Sequence, residues 1–252
     1  VAVVRGRNSF LPAALCAGYP EVRAYWISKV KACLEAGVDG VDFRIENHCC
    51  HTDDPFSFGY NEVVIEEYSR RFPEEIRTAP IDDDHLAEIQ GDHFDKFLEE
   101  AVELIHEHGK RTQIHLNVEF LGPEPRPSRH LAYPWNIRFN WRDWLALGWF
   151  DEATLRTYQV TPGFVLLEDA FSSEVIAECN ERGVPLHYNR YLNGSPDHYA
   201  DELDRVFRDG RFQGFIVYET AELSLRPDPT GTVEAVGGFF EAVRNKSRQL
   251  GL

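Results

Sequence analysis

Residues 38–54, VDGVDFRIENHCCHTDD, decide how this chain is read. In the first half, Asp42, Arg44 and Glu46 alternate with Val41, Phe43 and Ile45. A period of two is the spacing of side chains on opposite faces of a β-strand. One face is apolar and suits packing beneath helices; the other is polar. The second half, His48 to His51, sets four metal-ligand residue types in a row. Zinc sites need ligands that converge, commonly CxxC with a distant second pair, whereas adjacent cysteines point apart in most backbones. The chain contains no CxxC. The strand half is therefore expected to carry the chemistry, and HCCH to form the wall of a cleft.

Outward from this stretch, one unit recurs: an amphipathic helix, a glycine, a short link and a strand. The spacing predicts a helix over 20–36, with Pro20 in its first turn and Val22, Trp26, Val30, Cys33 and Leu34 on one stripe. Gly37 ends it before VDGVDFRIE. A second covers 92–108, with Phe94, Phe97, Leu98, Ala101, Leu104 and Ile105 in phase, and Gly109 ends it before KRTQIHLNVE. WRDWLALG stops at Gly148 before DEATLRTY. SSEVIAECNERG, capped by Ser172 or Ser173, stops at Gly183 before VPLHYNRY. SPDHYADELDRVFRDG, with Ser195 as cap and Pro196 in its first turn, stops at Gly210 before QGFIVYET, and a last helix covers about 232–249.

Strands alternating with helices imply βαβ units and a parallel sheet. These strands are not the continuous apolar runs of a doubly wound sheet. Gln113, His115, Asn117 and Glu119 alternate with apolar residues, as do His187, Asn189 and Tyr191. A polar inner face and an apolar outer face are what a (β/α)8 TIM barrel with a polar lumen requires. No GxGxxG or GxxxxGK[ST] follows a strand, so no nucleotide cofactor is implied. The chain has no Met and begins at VAVVRG, a further strand candidate. About six β/α units are thus expected, in a single barrel domain over 1–252 that lacks its first two strands.

Composition bounds the rest. With 252 residues and 43% hydrophobic content, the chain can bury a full core. A formal charge of −16 disfavours a nucleic-acid footprint, which needs a basic face. No window approaches about 18 apolar residues, so no membrane span is expected. The five cysteines show no framework spacing and read as thiols, Cys33 and Cys179 on apolar helix stripes.

Two long segments, 47–91 and 120–140, follow strand C-terminal ends, where a barrel builds its cleft. Carboxylates reach the same end: Glu46 after one strand, Glu119 after the next, and Glu219 ending FIVYE. Two carboxylates in different environments are what glycosidic hydrolysis needs. Asp42, Arg44, Asn47, His48, His115, Asn117, Arg156, His187, Asn189 and Arg190 supply polar partners for sugar hydroxyls. Trp135, Tyr133, Phe139, Tyr60, Phe58, Tyr158, Tyr188, Tyr191 and Tyr218 supply aromatic faces. Trp141, Trp144 and Trp149 are expected to pack. No GxSxG elbow is present, which removes that nucleophilic class.

YPEVRAYWISKVKACLEAGVDGVDFRIEN resembles a segment of the glycosyl-hydrolase-like TIM barrels, notably the glycosyl-hydrolase-like 10 group. NWRDWLALGWFDEATLRTYQ is similar to that group's tryptophan-rich helix and following strand. The resemblance implies a carbohydrate substrate and glycosidic hydrolysis. It makes VAVVRG the third strand and VDGVDFRIE the fourth, and matches Glu46 to the acid/base position. Strand seven, VPLHYNRY, offers His187 and Asn189 but no acid, which leaves Glu119 or Glu219 as the second carboxylate. Two other readings stand beside it: a non-catalytic carbohydrate-binding barrel, and a metal-dependent barrel enzyme using His48, His51, His115 and His187.

Overall fold

The computed structural model describes residues 2–3, 10–11, 15–45, 58–78, 84–117, 137–156, 166–191, 204–206, 208–218, 237–238, 240–241, 244–246 and 248–249. Strand β1 is Ala2–Val3 and β2 is Phe10–Leu11; helix α1 spans Pro20–Glu35 and strand β3 Gly40–Phe43. Helices α2, Glu62–Arg71, and α3, Asp84–Glu107, lead into strand β4, Arg111–Asn117. A short helix, Trp141–Ala146, precedes β5, Glu152–Arg156. The helix Ala170–Arg182 precedes β6, Leu186–Tyr191, and β7 is Gly214–Tyr218.

Strands β3 to β7 follow one another in chain order in one sheet, and the registered pairs are parallel. Sequential order without a switch point is the order of a β/α barrel wall, not of a doubly wound sheet. VAVVRG departs from expectation. Ala2–Val3 pairs antiparallel with Phe10–Leu11 in a separate two-stranded sheet. Six residues separate β1 from β2, which lets the chain turn back on itself, whereas a parallel neighbour needs a crossover of a dozen or more.

The chain divides into two compact units, Val1–Ile114 with Pro123–Asp151, and His115–Gly122 with Glu152–Leu252. The division passes through β4. In the first unit, Cys16, Tyr60, Val64, Tyr68, Ile76, Leu86 and Ile89 form one core. Phe43 of β3 packs edge-on against Phe97 and Phe150, and Phe150 against Trp144. The apolar side of β3 is thus sealed by aromatic rings, as its alternation requires. Helix α1 buries Val30 and Leu34, but Trp26 and Cys33 are exposed. The expected stripe is narrower, because α1 turns one edge toward α3, where Arg23 Nε donates to Glu100 at 2.9 Å.

Helix α3 starts eight residues before the expected position and runs through Gly91. A Cβ on Gly91 would lie 2.4 Å from the carbonyl oxygen of Arg138, so glycine here permits a close backbone approach. In the second unit, Asp169 caps the helix Ala170–Arg182 by accepting from the Ser172 N–H, in place of the expected serine caps. The helix ends at Gly183, left-handed at φ 69, as the sequence predicts. No helix among the described residues is long and apolar enough to cross a membrane.

Candidate functional site

The second unit gathers polar side chains on one sheet face. Thr154 of β5 is in register with His187 of β6, and Arg156 with Asn189. Period two therefore sets Glu152, Thr154, Arg156, His187 and Asn189 on a common face. Strand β4 adds His115 and Asn117, and Arg156 Nη1 lies 3.3 Å from His115 Nδ1. Five of these side chains are buried, His115 at 3% exposed and Asn117, Thr154, Arg156 and Asn189 at 0%, while Glu152 and His187 at one edge are each 20% exposed. The opposite face is apolar, with Leu116, Ala153, Leu155, Leu186 and Tyr188 all buried. Tyr188 packs there against Phe212 and Phe215.

The contacts fix some of the chemistry. Arginine has no acceptor, so His115 Nδ1 must accept and the ring proton of a neutral imidazole sits on Nε2. His187 Nε2 donates to Glu152 Oε2 at 3.0 Å. Gly214 stands opposite His187 in the β6–β7 register, and a Cβ there would lie 2.5 Å from His187 Nδ1. The missing side chain of Gly214 is the space that the imidazole occupies. Thr154 Oγ1 and both amide atoms of Asn189 have no hydrogen-bond partner among the described residues. A buried polar group left unpaired costs about 1–3 kcal/mol, so such a layer does not arise from folding stability.

The expected site residues divide as follows. His115, Asn117, Arg156, His187 and Asn189 come together on this face. Asp42 is exposed and Arg44 half-buried, both in the first unit. Arg190 lies in β6 opposite Val217, and Tyr218 ends β7 opposite Tyr191. Glu46, Asn47, His48, His51, Glu119, Tyr133, Trp135, Tyr158 and Glu219 lie outside the described residues. Two expected sugar platforms are core residues instead: Tyr60 is 4% exposed in the first-unit core, and Tyr188 is buried on the apolar side. Phe139 is half-buried and packs on Phe94 and Trp144. Trp141 and Trp144 are buried, as expected. Sequence reasoning missed Thr154 and Glu152, although EATLR alternates like the neighbouring strands. Among the described residues, no group of three or more His, Cys, Asp or Glu is placed to hold a metal ion.

The first unit has polar clusters of its own. Asp95 accepts from Trp144 Nε1 and Asn140 Nδ2, both at 2.8 Å, beside a cavity of about 330 Å³ lined also by Asp143, Leu147 and Trp149. Burial pushes the Asp95 carboxyl above its ordinary range despite these donors. Asp151 accepts from the Thr112 N–H at 2.8 Å, the Thr112 hydroxyl at 3.0 Å and His106 Nε2 at 3.1 Å. Burial raises the Asp151 carboxyl, but these donors together outweigh it and hold the group below the usual range. His93 is 6% exposed, and neither ring nitrogen has a partner among the described residues. Burial first, then the Lys96 charge, lowers its pKa.

A comparison with solved structures finds the crystal structure of the GH18 chitinase ChiB from the chitin utilization locus of Flavobacterium johnsoniae. It is 13% identical, with a TM-score of 0.44 over 93% of this chain and 69% of the chitinase. No protein-family model and no curated protein matches the chain.

Proposed function

We propose that this chain is a carbohydrate-active protein of the β/α-barrel type, and that it hydrolyses a glycosidic bond with paired carboxylates at the strand ends. The observation that supports it is the face built by β4, β5 and β6. Amide, hydroxyl, imidazole and guanidinium groups are buried there at 0–3% exposure, where apolar side chains would be more stable. A sugar presents hydroxyls that both donate and accept, and this mixture answers them. Catalysis itself is assigned from the sequence. Glu46, Glu119 and Glu219 follow β3, β4 and β7 by three, two and one residues. C-terminal strand ends carry the chemistry of β/α barrels. Glu46 is assigned as general acid, with Glu119 or Glu219 as base or nucleophile. A separation near ~5 Å gives retention of configuration, and ~6.5–9.5 Å gives inversion.

The test is reducing-sugar release from a polysaccharide panel by the wild-type chain and by Glu46→Gln, Glu119→Gln and Glu219→Gln. Loss of the general acid is expected to lower kcat by roughly 10²–10⁴-fold with Tm unchanged. Full activity in Glu46→Gln removes that residue from the mechanism. A second reading, binding without turnover, is favoured by Glu152: this acid of the polar face is engaged by His187. Saturable binding with no product in the wild type would establish it, and absence of binding would defeat both.

A further inference from the structure

Two side chains of the polar face stand out because they have no hydrogen-bond partner among the described residues. Asn189 is 0% exposed with Oδ1 and Nδ2 both unpartnered among the described residues, and Thr154 is 0% exposed with Oγ1 unpartnered. The register pairs Thr154 with His187 and Arg156 with Asn189, so Thr154 and Asn189 are diagonal neighbours on one face. On the reverse face the same two strands place Leu155 and Leu186, which shows what packing alone puts in these strands.

We propose that Thr154 and Asn189 form a neutral hydrogen-bonding subsite that takes an uncharged donor–acceptor group of the ligand and so selects neutral over acidic carbohydrate. The proposal rests on the carbohydrate reading above and deepens it. An amide offers donor and acceptor from one plane, and a hydroxyl offers both from one atom. Two adjacent sugar hydroxyls, or an acylamino group, satisfy all of them together. A carboxylate or sulfate only accepts, which would leave Asn189 Oδ1 unbonded against an anion. The formal charge of −16 acts in the same direction, because it repels polyanions before contact.

The experiment combines calorimetric titration with thermal unfolding of the full chain. The probes are the neutral hexasaccharides of cellulose, xylan, chitin and starch, and the acidic hexamer of galacturonic acid. At least one neutral probe is expected to bind while the acidic one does not. Asn189→Leu and Thr154→Val are each expected to weaken that binding tenfold or more, with Tm unchanged or higher. Neutral binding that survives both substitutions, preference for the acidic hexamer, or a fall in Tm in both variants would overturn the subsite. A fall in Tm would mean that the groups serve the fold. Failure of the wild type to bind any probe overturns the carbohydrate reading itself, and the subsite with it. Because the two substitutions are made separately, a folding failure in one leaves the other as the test.

Discussion

His187 and Gly214 show how one residue's absence of a side chain sets another's position. The imidazole crosses from β6 toward β7 over Gly214 and reaches Glu152 at 3.0 Å on β5. Gly214→Ala should push the ring away and break that contact. We expect a loss of about 1–3 kcal/mol in urea unfolding, the usual size of an overpacking penalty; unchanged stability would show that the ring has room to shift. His93 makes a pH prediction. Its folded pKa is lowered, so the unfolded chain binds the proton more readily. Its contribution is fully present above the unfolded value, ~6.5, and is lost as pH falls through it. Asp151 acts lower, since its depressed carboxyl contributes above ~3.9 and loses that contribution only in stronger acid. Tm measured from pH 7.5 to 5 should fall in the wild type and fall less in His93→Leu. Equal slopes would remove His93 as the cause. Thiols differ in the same way. Burial, then Glu178, pushes Cys179 up to about 12, while Cys33 is exposed. Iodoacetamide on the folded chain, read by peptide mass, should label Cys33 and spare Cys179 until the protein unfolds.

At the scale of the element, Gly91 in α3 sets two effects against each other. Helix propensity alone says that Gly91→Ala stabilises by about 1 kcal/mol. Yet the new Cβ would stand 2.4 Å from the Arg138 carbonyl, and backbone cannot swing aside as a side-chain tip can. The clash should win, and the variant should unfold at lower urea; a gain in midpoint would show that the 137–140 segment yields. The cap at Asp169 is a simpler case. Removing its carboxylate in Asp169→Ala orphans the Ser172 N–H and should cost about 1 kcal/mol. Helix stops were the most legible features, because a left-handed residue after a helix is a local demand that glycine meets. Gly109 at φ 64 and Gly183 at φ 69 ended their helices where the sequence placed the stops. Helix starts were less legible. Asp169 lies one residue before the helix and a serine pair follows it, so three capping residues competed, and only the backbone direction chose.

At the scale of the whole molecule, the parallel order of β3 to β7 follows from strands separated by helical crossovers. The formal charge of −16 predicts how the molecule meets charged polymers. The chain should not bind duplex DNA at 50 mM salt in a mobility-shift assay, and a salt-sensitive shifted band would contradict the inference from charge.

The sequence by itself determined the alternation of strands, their two-faced character and the side that bears His115, Asn117, Arg156 and Asn189. Period two and helical stripes are local patterns, and local patterns are written in consecutive residues. Tertiary structure alone decided which aromatics were core: Tyr60 and Tyr188 read as ligand platforms until their neighbours closed around them. It alone turned Ala2–Val3 back on Phe10–Leu11, and it alone left Thr154 and Asn189 buried without partners among the described residues. The physical reason is that burial and hydrogen-bond satisfaction depend on residues distant in sequence, which no local pattern encodes.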